Sequence, residues 1–221
     1  MITTLVFDVN ETMLDLGALD AHFERVFGDR TSREEWFALV LRNALTLTIT
    51  GGYYDFGAVA GASLTMVAGS RGVTLTEADR DTITTAVRTL PPHPDVPASL
   101  DVLQRSGLEL AALTNSPPDI ATAQLTNAGL AEHFTRILSV HPTRRFKPHP
   151  ATYQHAAEQL ATPLQQMMMV AAHDWDIAGA MAVGMRGAYV TRPGMALNPL
   201  LPPPTVTAPT MDAIAEAITR L

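Results

Sequence analysis

The segment Leu5-Val6-Phe7-Asp8-Val9-Asn10-Glu11-Thr12 contains a short apolar run that ends at an acidic residue. Four more short, largely apolar runs follow along the chain, and polar residues or glycine end each of them. Runs of this kind are typical of the buried strands of a parallel sheet. They are Leu108–Leu113, Arg136–Val140, Met167–Ala172 and Ala188–Val190.

Helical patterns separate these runs from residue 95 onward. The segment Asp95–Arg105 places Val96, Leu100 and Leu103 on one face, and Gly107 follows it. Similar segments are Pro118–Ala128, Pro150–Leu160, Asp174–Val183 and Met211–Leu221. Strands that alternate with helices predict an α/β fold, with a doubly wound, Rossmann-like parallel sheet and helices on both faces.

Residues 14–91 show a different pattern, with helical segments and little strand signal. The helical segments are Leu19–Phe27, Arg33–Leu47, Phe56–Arg71 and Glu77–Arg88, and a proline-rich stretch closes them. We therefore predict a discontinuous core domain, residues 1–13 and 92–221, with a helical cap domain, residues 14–91, inserted after the first strand. We predict a surface loop at Asn198–Pro204, before the last helix.

The composition excludes several classes of protein. Hydrophobic residues make up 47% of the 221 residues and charged residues 17%, which is typical of one or two compact domains with a sizeable core. The net charge of −7 argues against a general nucleic-acid or anionic-membrane binder. The chain has no cysteine, which excludes disulfides, thiolate metal sites and cysteine nucleophiles.

The apolar runs also bear on localisation. The first residues contain no basic segment and no long apolar segment, so we expect no signal peptide. A run such as Met167–Ala172 is far shorter than the ~20 residues needed to cross a bilayer. We therefore predict a cytoplasmic protein that binds neither membranes nor nucleic acid.

Polar side chains collect where the predicted strands end. In open α/β sheets, ligands bind beyond the carboxyl ends of the strands. The residues found there are Asp8, Thr12, Thr114, Asn115, Ser116, Lys147, His173, Asp174 and Asp176. A carboxylate nucleophile, hydrogen-bond donors, an ammonium group and an acidic cluster would therefore meet in one crevice, as nucleophilic catalysis requires.

Four ordered segments resemble the motifs of the haloacid dehalogenase superfamily, and especially of its type II L-2-haloacid dehalogenases. They are Phe7–Thr12, Leu113–Ser116, Phe146–Pro148 with Tyr153, and Val170–Asp176 followed by Gly179, Ala180 and Gly184. The resemblance implies a hydrolase of carbon–halide bonds that needs no metal or other cofactor. It would convert a small 2-haloacid, a haloacetate or an L-2-haloalkanoate, to a 2-hydroxy acid and halide. It also implies a homodimer, for which Tyr53, Tyr54 and the apolar insertion helices are suited.

The resemblance further implies a role for each site residue. Asp8 would attack the carbon that bears the leaving group and form an aspartyl ester, which water would hydrolyse. Lys147 would keep Asp8 ionised, and Asp176 would orient Lys147 or the water. Thr12 and Thr114 would donate hydrogen bonds to Asp8 or to the substrate, and Tyr153 would support Lys147. Asn115 and Arg42 would bind the substrate carboxylate or the departing halide. Phe56 and Trp175 would form apolar walls of the pocket.

Two departures distinguish this chain from the phosphatases of the superfamily. Those enzymes usually carry an acid two residues after the nucleophile, where this chain has Asn10, a candidate substrate contact. Their usual magnesium carboxylate corresponds to Ala172. Because halide leaves without a proton, a dehalogenase needs neither group, and we expect no magnesium and no phosphate chemistry.

A third departure leaves alternatives open. Ala171-Ala172-His173 stands where characterised dehalogenases usually carry Ser-Ser-Asn. His173 could activate the hydrolytic water, since its unperturbed pKa is ~6.5. It could also make the halide site smaller, so that the site accepts a small leaving group such as fluoride. The alternatives are a hydrolase of another C–X bond, such as that of a strained-ring amino acid, a magnesium-dependent phosphatase that uses Asp174, and a non-catalytic binding protein.

Overall fold

The computed structural model describes all 221 residues, and a six-stranded parallel sheet lies at its centre. The strands are β1 (Thr4–Phe7), β2 (Glu109–Thr114), β3 (Arg136–Ser139), β4 (Met167–Ala171), β5 (Arg186–Val190) and β6 (Val206–Ala208). The order β3-β2-β1-β4-β5-β6 places β1 between β2 and β4. In that position Val6 pairs with Ala111 on one side and with Met169 on the other. The predicted α/β fold is confirmed.

Nine α-helices follow in the predicted places. They are α1 (Asp20–Phe27), α2 (Ser32–Thr50), α3 (Phe56–Arg71), α4 (Glu77–Arg88), α5 (Val96–Arg105), α6 (Pro118–Asn127), α7 (Pro150–Leu160), α8 (Asp174–Ala182) and α9 (Met211–Thr219). The largest difference between a predicted and an observed helix end is at α2, which ends at Thr50 and was predicted to end at Leu47. No helix combines the length and the apolar character that a membrane span requires.

Side-chain caps explain where the inserted helices begin. The Asp55 carboxylate accepts a hydrogen bond from the Ala58 N–H at 2.9 Å, which satisfies a free donor at the start of α3. Thr76 and Asp79 form a capping box at the start of α4. Gly72 follows the last residue of α3, and its φ of +63° is unfavourable for residues other than glycine.

The sequence analysis missed β6, the last strand of the sheet. Its three residues, Val206–Ala208, pair with β5 between Ala188 and Val190. The strand is too short to show an alternating pattern, and it follows the prolines at 202–204. The predicted loop at Asn198–Pro204 is present as turns and irregular chain.

The four inserted helices, α1 to α4, contact the sheet layer at defined points. Thr48 Oγ1 accepts a hydrogen bond from the Phe146 N–H at 3.0 Å. Gln124 Nε2, in α6, donates to the Val87 carbonyl at 2.9 Å. These contacts hold the insertion over the carboxyl ends of the strands. The division into a core domain and a cap domain of residues 14–91 stays a prediction.

A close approach at Gly179 yields a test of this packing. A Cβ atom at this position of α8 would lie 2.4 Å from Pro148 Cβ and 2.7 Å from Tyr153 Oη. We expect Gly179→Ala to lower the free energy of unfolding by about 1–3 kcal/mol, because neither neighbour can move freely. Urea denaturation monitored by circular dichroism measures this change.

Gly61 in α3 provides the matched control. A Cβ atom there meets nothing within 4 Å, so Gly61→Ala should raise the free energy of unfolding by about 0.5–1 kcal/mol. Equal stability changes in the two variants would contradict the close packing of α8.

Candidate active site

Asp8 lies directly after β1, at the carboxyl edge of the sheet, and its side chain is buried. Its backbone N–H donates to the Val170 carbonyl at 3.0 Å, which fixes the turn beyond the strand. Oδ1 accepts a hydrogen bond from Lys147 Nζ at 2.8 Å. Oδ2 accepts from Thr12 Oγ1 at 2.7 Å and lies 3.0 Å from His173 Nδ1. The structure therefore brings four predicted site residues together.

Lys147 carries the only ammonium group of this site, and its side chain is fully buried. Nζ donates to Asp8 Oδ1 at 2.8 Å, to Asp176 Oδ2 at 2.6 Å and to the Leu113 carbonyl at 2.9 Å. All three ammonium protons are therefore used. Tyr153 Oη donates to Asp176 Oδ1 at 2.6 Å, so it supports Lys147 through this carboxylate and not by direct contact.

The charges of the site keep Asp8 ionised. Burial alone raises the pKa of Asp8, but the attraction of Lys147 and the hydrogen bond from His173 outweigh it and hold the pKa well below 3.8. Burial lowers the pKa of Lys147, yet the carboxylates of Asp176 and Asp8 raise it above 10.5. At neutral pH, Asp8 is therefore a carboxylate and Lys147 an ammonium ion.

His173 immediately precedes α8 and is buried between two carboxylates. Its Nδ1 lies 3.0 Å from Asp8 Oδ2, and its Nε2 lies 2.9 Å from Glu11 Oε2. Both nitrogens can donate only when the ring is protonated. Burial lowers the pKa of His173, but the hydrogen bonds to Asp8 and Glu11 outweigh it and raise the pKa to about 9. The indole of Trp175 stacks on this imidazolium at 4.9 Å between ring centroids.

Glu11 is a site residue that the sequence analysis missed. Its φ of +61° turns the chain just after the nucleophile, and its carboxylate then reaches His173. Oε1 lies 3.6 Å from Arg33 Nη1, and Arg33 also pairs with Asp20. The sequence signal for Glu11 is an acidic side chain three residues after Asp8, just beyond the first strand.

Two amide side chains border the nucleophile with free donors. Asn10 Oδ1 accepts from Gln124 Nε2 at 3.1 Å, and Asn115 Oδ1 accepts from the Lys147 N–H at 3.0 Å. Neither amide NH2 group has a protein acceptor within hydrogen-bond distance, so both can bind an anion. Both residues lie at strand ends, as predicted.

The two threonines behave differently from each other. Thr12 Oγ1 donates to Asp8 and accepts from the Ala172 N–H at 2.9 Å, so it fixes one oxygen of the nucleophile. Thr114 Oγ1 instead accepts from the Ser116 N–H at 3.2 Å and makes no hydrogen bond to Asp8. Its local role is to shape the turn after β2.

A cleft of about 380 Å³ lies between the inserted helices and the strand ends. Asn10, two residues after Asp8, and Ser116, in the turn after β2, are among its lining residues. The walls are apolar and come from Trp36, Phe37, Val40, Phe56, Leu64 and Ile83. Phe56 therefore lines the cleft, as its predicted role requires.

Trp175 lines a second cavity, of about 330 Å³, and not the main cleft. His173, Glu11 and Arg33 also line this second cavity. Phe37 contributes to both cavities, and its ring centroid lies 6.1 Å from that of His173. The imidazolium therefore separates Asp8 from a solvent space other than the main cleft.

Arg42 is the one predicted substrate contact that the structure places apart from the site. Its side chain is exposed, lines neither cavity and makes no hydrogen bond or ion pair. The reason is the register of α2. Its buried face comprises Trp36, Phe37, Val40, Ala44 and Thr48, and helical geometry puts position 42 on the opposite face.

The arginine that does line the main cleft is Arg88, at the end of α4. Gln124 bonds both the Val87 carbonyl and the Asn10 side chain, which brings this helix end close to Asn10. Arg88 has no acidic partner within 4 Å, so its charge is available to a ligand. The sequence does not indicate that Arg88 lines the cleft, because its location depends on how α4 packs against α6.

The residues around Asp8 do not fit a magnesium ion. Ala172 offers no ligand, and no group of three acidic or histidine side chains is arranged to hold a metal. Asp174 accepts a hydrogen bond from the Trp175 N–H at 2.7 Å and makes no contact with Asp8. The cationic ring of His173 already lies against the oxygen that would face such an ion.

Comparison with known proteins gives relatives along nearly the whole chain. The haloacetate dehalogenase H-2 of Moraxella sp. (strain B) is 26% identical over 219 residues, which cover 98% of each chain. An (S)-2-haloacid dehalogenase of Xanthobacter autotrophicus is 30% identical over 194 residues, which cover 87% of this chain and 76% of that protein.

Solved structures of similar architecture agree with these relatives. The L-2-haloacid dehalogenase from Xanthobacter autotrophicus superposes with a TM-score of 0.93 at 25% identity, covering 99% of this chain and 98% of that one. The same enzyme with chloropropionic acid covalently bound superposes with a TM-score of 0.92. The family profile described as haloacid dehalogenase-like hydrolase matches residues 2–184. The chain therefore belongs to the haloacid dehalogenase-like hydrolase family.

Proposed function

We propose that this enzyme hydrolyses the carbon–halogen bond of 2-halo acids to give a 2-hydroxy acid and halide. The observation that carries the proposal is the buried Asp8 carboxylate, which Lys147 keeps ionised. Asn10, two residues after Asp8, lines the main cleft and so connects the nucleophile with it. The names of the relatives, haloacetate and (S)-2-haloacid dehalogenases, support the same reaction.

In the first step, an oxygen of Asp8 attacks C2 of the substrate. The new C–O bond forms as the C–halogen bond breaks, and halide leaves with the bonding electrons. No proton is transferred, so the lack of an acid at Asn10 costs the reaction nothing. The product of this step is an ester between Asp8 and the acid.

In the second step, water attacks the carbonyl carbon of the ester, and the 2-hydroxy acid leaves. His173 is an imidazolium in the free enzyme and cannot act as a base there. Once Asp8 is an uncharged ester, Glu11 is the only one of the two carboxylates that still raises the pKa of His173. The pKa therefore falls, and the ring releases its proton to solvent in the second cavity. The neutral ring then takes the proton of the attacking water, and the Asp8 carboxylate is restored.

The substrate carboxylate requires donors at the inner end of the cleft. We propose that it lies between the free amide groups of Asn10 and Asn115, with Arg88 supplying the positive charge from the rim. This assignment gives Arg88 the role that the sequence analysis expected of Arg42.

We propose metal-independent hydrolysis on the ground that the donor set at Asp8 suits an imidazolium and not magnesium. We also propose a homodimer and a cytoplasmic location. Tyr54 is 66% exposed and available to a second copy, whereas Tyr53 is engaged, with its Oη 3.0 Å from His141 Nδ1. The proposal of a cytoplasmic location rests on the apolar runs of the sequence, which are too short to cross a bilayer.

The first test is halide release from the two enantiomers of 2-chloropropionate, with and without EDTA. We expect release that EDTA does not reduce, and a loss of at least about 10³-fold in Asp8→Asn, which removes the nucleophile. Asp101→Asn, the same change on the surface of α5, is the control and should match the wild type. Release that EDTA abolishes would overturn the metal-independent mechanism, and phosphate ester hydrolysis would then be the next activity to assay.

A second test compares two arginines. We expect Arg88→Gln to raise KM by about 10-fold or more, because a hydrogen bond to a charged group contributes about 1.5–3 kcal/mol. Arg42→Gln should leave KM within about threefold, since its side chain lies outside the cleft. A larger effect from Arg42 than from Arg88 would show that the carboxylate site is elsewhere.

A third test follows the protonation of His173 by NMR titration of its ring nitrogens. The wild-type ring should stay protonated through neutral pH and titrate near pH 9, since its pKa is raised and the charged form persists to higher pH. Glu11→Gln removes one of the two carboxylates and should lower this pKa by about one unit or more. A wild-type pKa near 6.5 would rule out the imidazolium and with it the proposed change of role between the two steps.

A further inference from the structure

The main cleft is larger than a two- or three-carbon acid requires. Its volume of about 380 Å³ equals that of roughly a dozen waters at ~30 Å³ each. A haloacetate or a 2-halopropionate placed against Asp8 would therefore leave most of the cleft to solvent. The volume is that of a small-molecule site, and ligands generally fill such sites.

The space exists because α3 presents small residues to the cleft. Gly57, Ala60 and Gly61 line it at helical spacing, and Leu64 lies one turn further on. A Cβ atom at Gly61 would meet nothing within 4 Å. Glycine inside a helix is less favourable than alanine, so helix stability does not account for Gly61.

The wall that α2 contributes to this space is apolar. Trp36, Phe37 and Val40 come from the buried face of α2 and stand across from the small residues of α3. Trp36 Nε1 donates to the Ala60 carbonyl at 3.0 Å, so the polar atom of the indole is satisfied. Such walls stabilise an apolar group that they remove from water.

We infer that the preferred substrate is a 2-halo acid with a bulky apolar substituent on C2, of about the size of a benzyl or butyl group. This inference rests on the proposed function. The carboxylate and halogen lie at the Asn10 end, next to Asp8, and the substituent extends between α2 and α3. The chemical step is unchanged, because only C2 reacts.

The test compares kcat/KM for (S)-2-bromo-3-phenylpropionate and (S)-2-bromohexanoate with that for (S)-2-bromopropionate. We expect the wild type to favour both bulky acids by about 10-fold or more, since three added buried CH2 groups correspond to roughly 2.4 kcal/mol, or about 60-fold. A preference for 2-bromopropionate, or no preference, would overturn the inference and leave the proposed function intact. Absence of bromide release from all three acids would overturn the proposed function itself.

Two variants of α3 locate the substituent. Gly61→Phe fills the cleft and should lower the ratio of kcat/KM values, bulky to small, by about 10-fold or more. Gly69→Phe is the matched control, because Gly69 is exposed, lies outside the cleft and has nothing within 4 Å of its Cβ position. It should leave the ratio unchanged, and an equal change in both variants would contradict the placement.

A binding measurement on the wild type does not depend on how the variants fold. 3-Phenylpropionate and propionate carry no halogen and should act as competitive inhibitors of bromide release. We expect the inhibition constant of 3-phenylpropionate to be at least about 10-fold lower than that of propionate. Equal constants would show that the apolar walls do not bind the substituent.

Discussion

The site depends on the burial of one ammonium group, that of Lys147, between two carboxylates. A buried charge is destabilising unless it is fully paired and hydrogen-bonded, and Lys147 meets this condition with three acceptors. The acceptors are Asp8 after β1, the Leu113 carbonyl in β2 and Asp176 in α8, which follows β4. Three neighbouring segments of the sheet must therefore end at the same point, and the order β2-β1-β4 satisfies this requirement.

A line of alternating charges extends from this pair toward the surface. Its members in order are Asp176, Lys147, Asp8, His173, Glu11 and Arg33. Each carboxylate has a cation on both sides or a cation and a hydroxyl donor, so the anions do not repel one another strongly. The nucleophile lies inside this line, and any step that removes its charge changes the proton affinity of its neighbours. In the proposed reaction, this coupling links formation of the ester on Asp8 to its hydrolysis.

The sequence predicted the site residues that follow the strands of the sheet. It did not predict the residues whose position depends on how the helices pack or on the conformation of a turn. Asp8, Lys147 and Asp176 each stand at a fixed distance from a strand end, so their meeting follows from the parallel sheet. Arg42 was predicted to lie in the site but lies outside it. The direction of its side chain depends on the register of α2, a helix that has apolar residues on more than one face. Arg88 and Glu11 gave no periodic signal, since one closes a helix and the other occupies a turn. β6 was too short to be detected.

The glycines of α3 have a consequence for how this enzyme changes over generations. Chemistry resides at the strand ends, whereas the width of the cleft is set by a helix that touches none of the charged groups. Replacing Gly61 by a larger residue would favour the helix, since its Cβ position is open, so substitution there tends to narrow the cleft while raising stability. Random substitution would therefore tend to remove a wide cleft unless selection for its use maintains it.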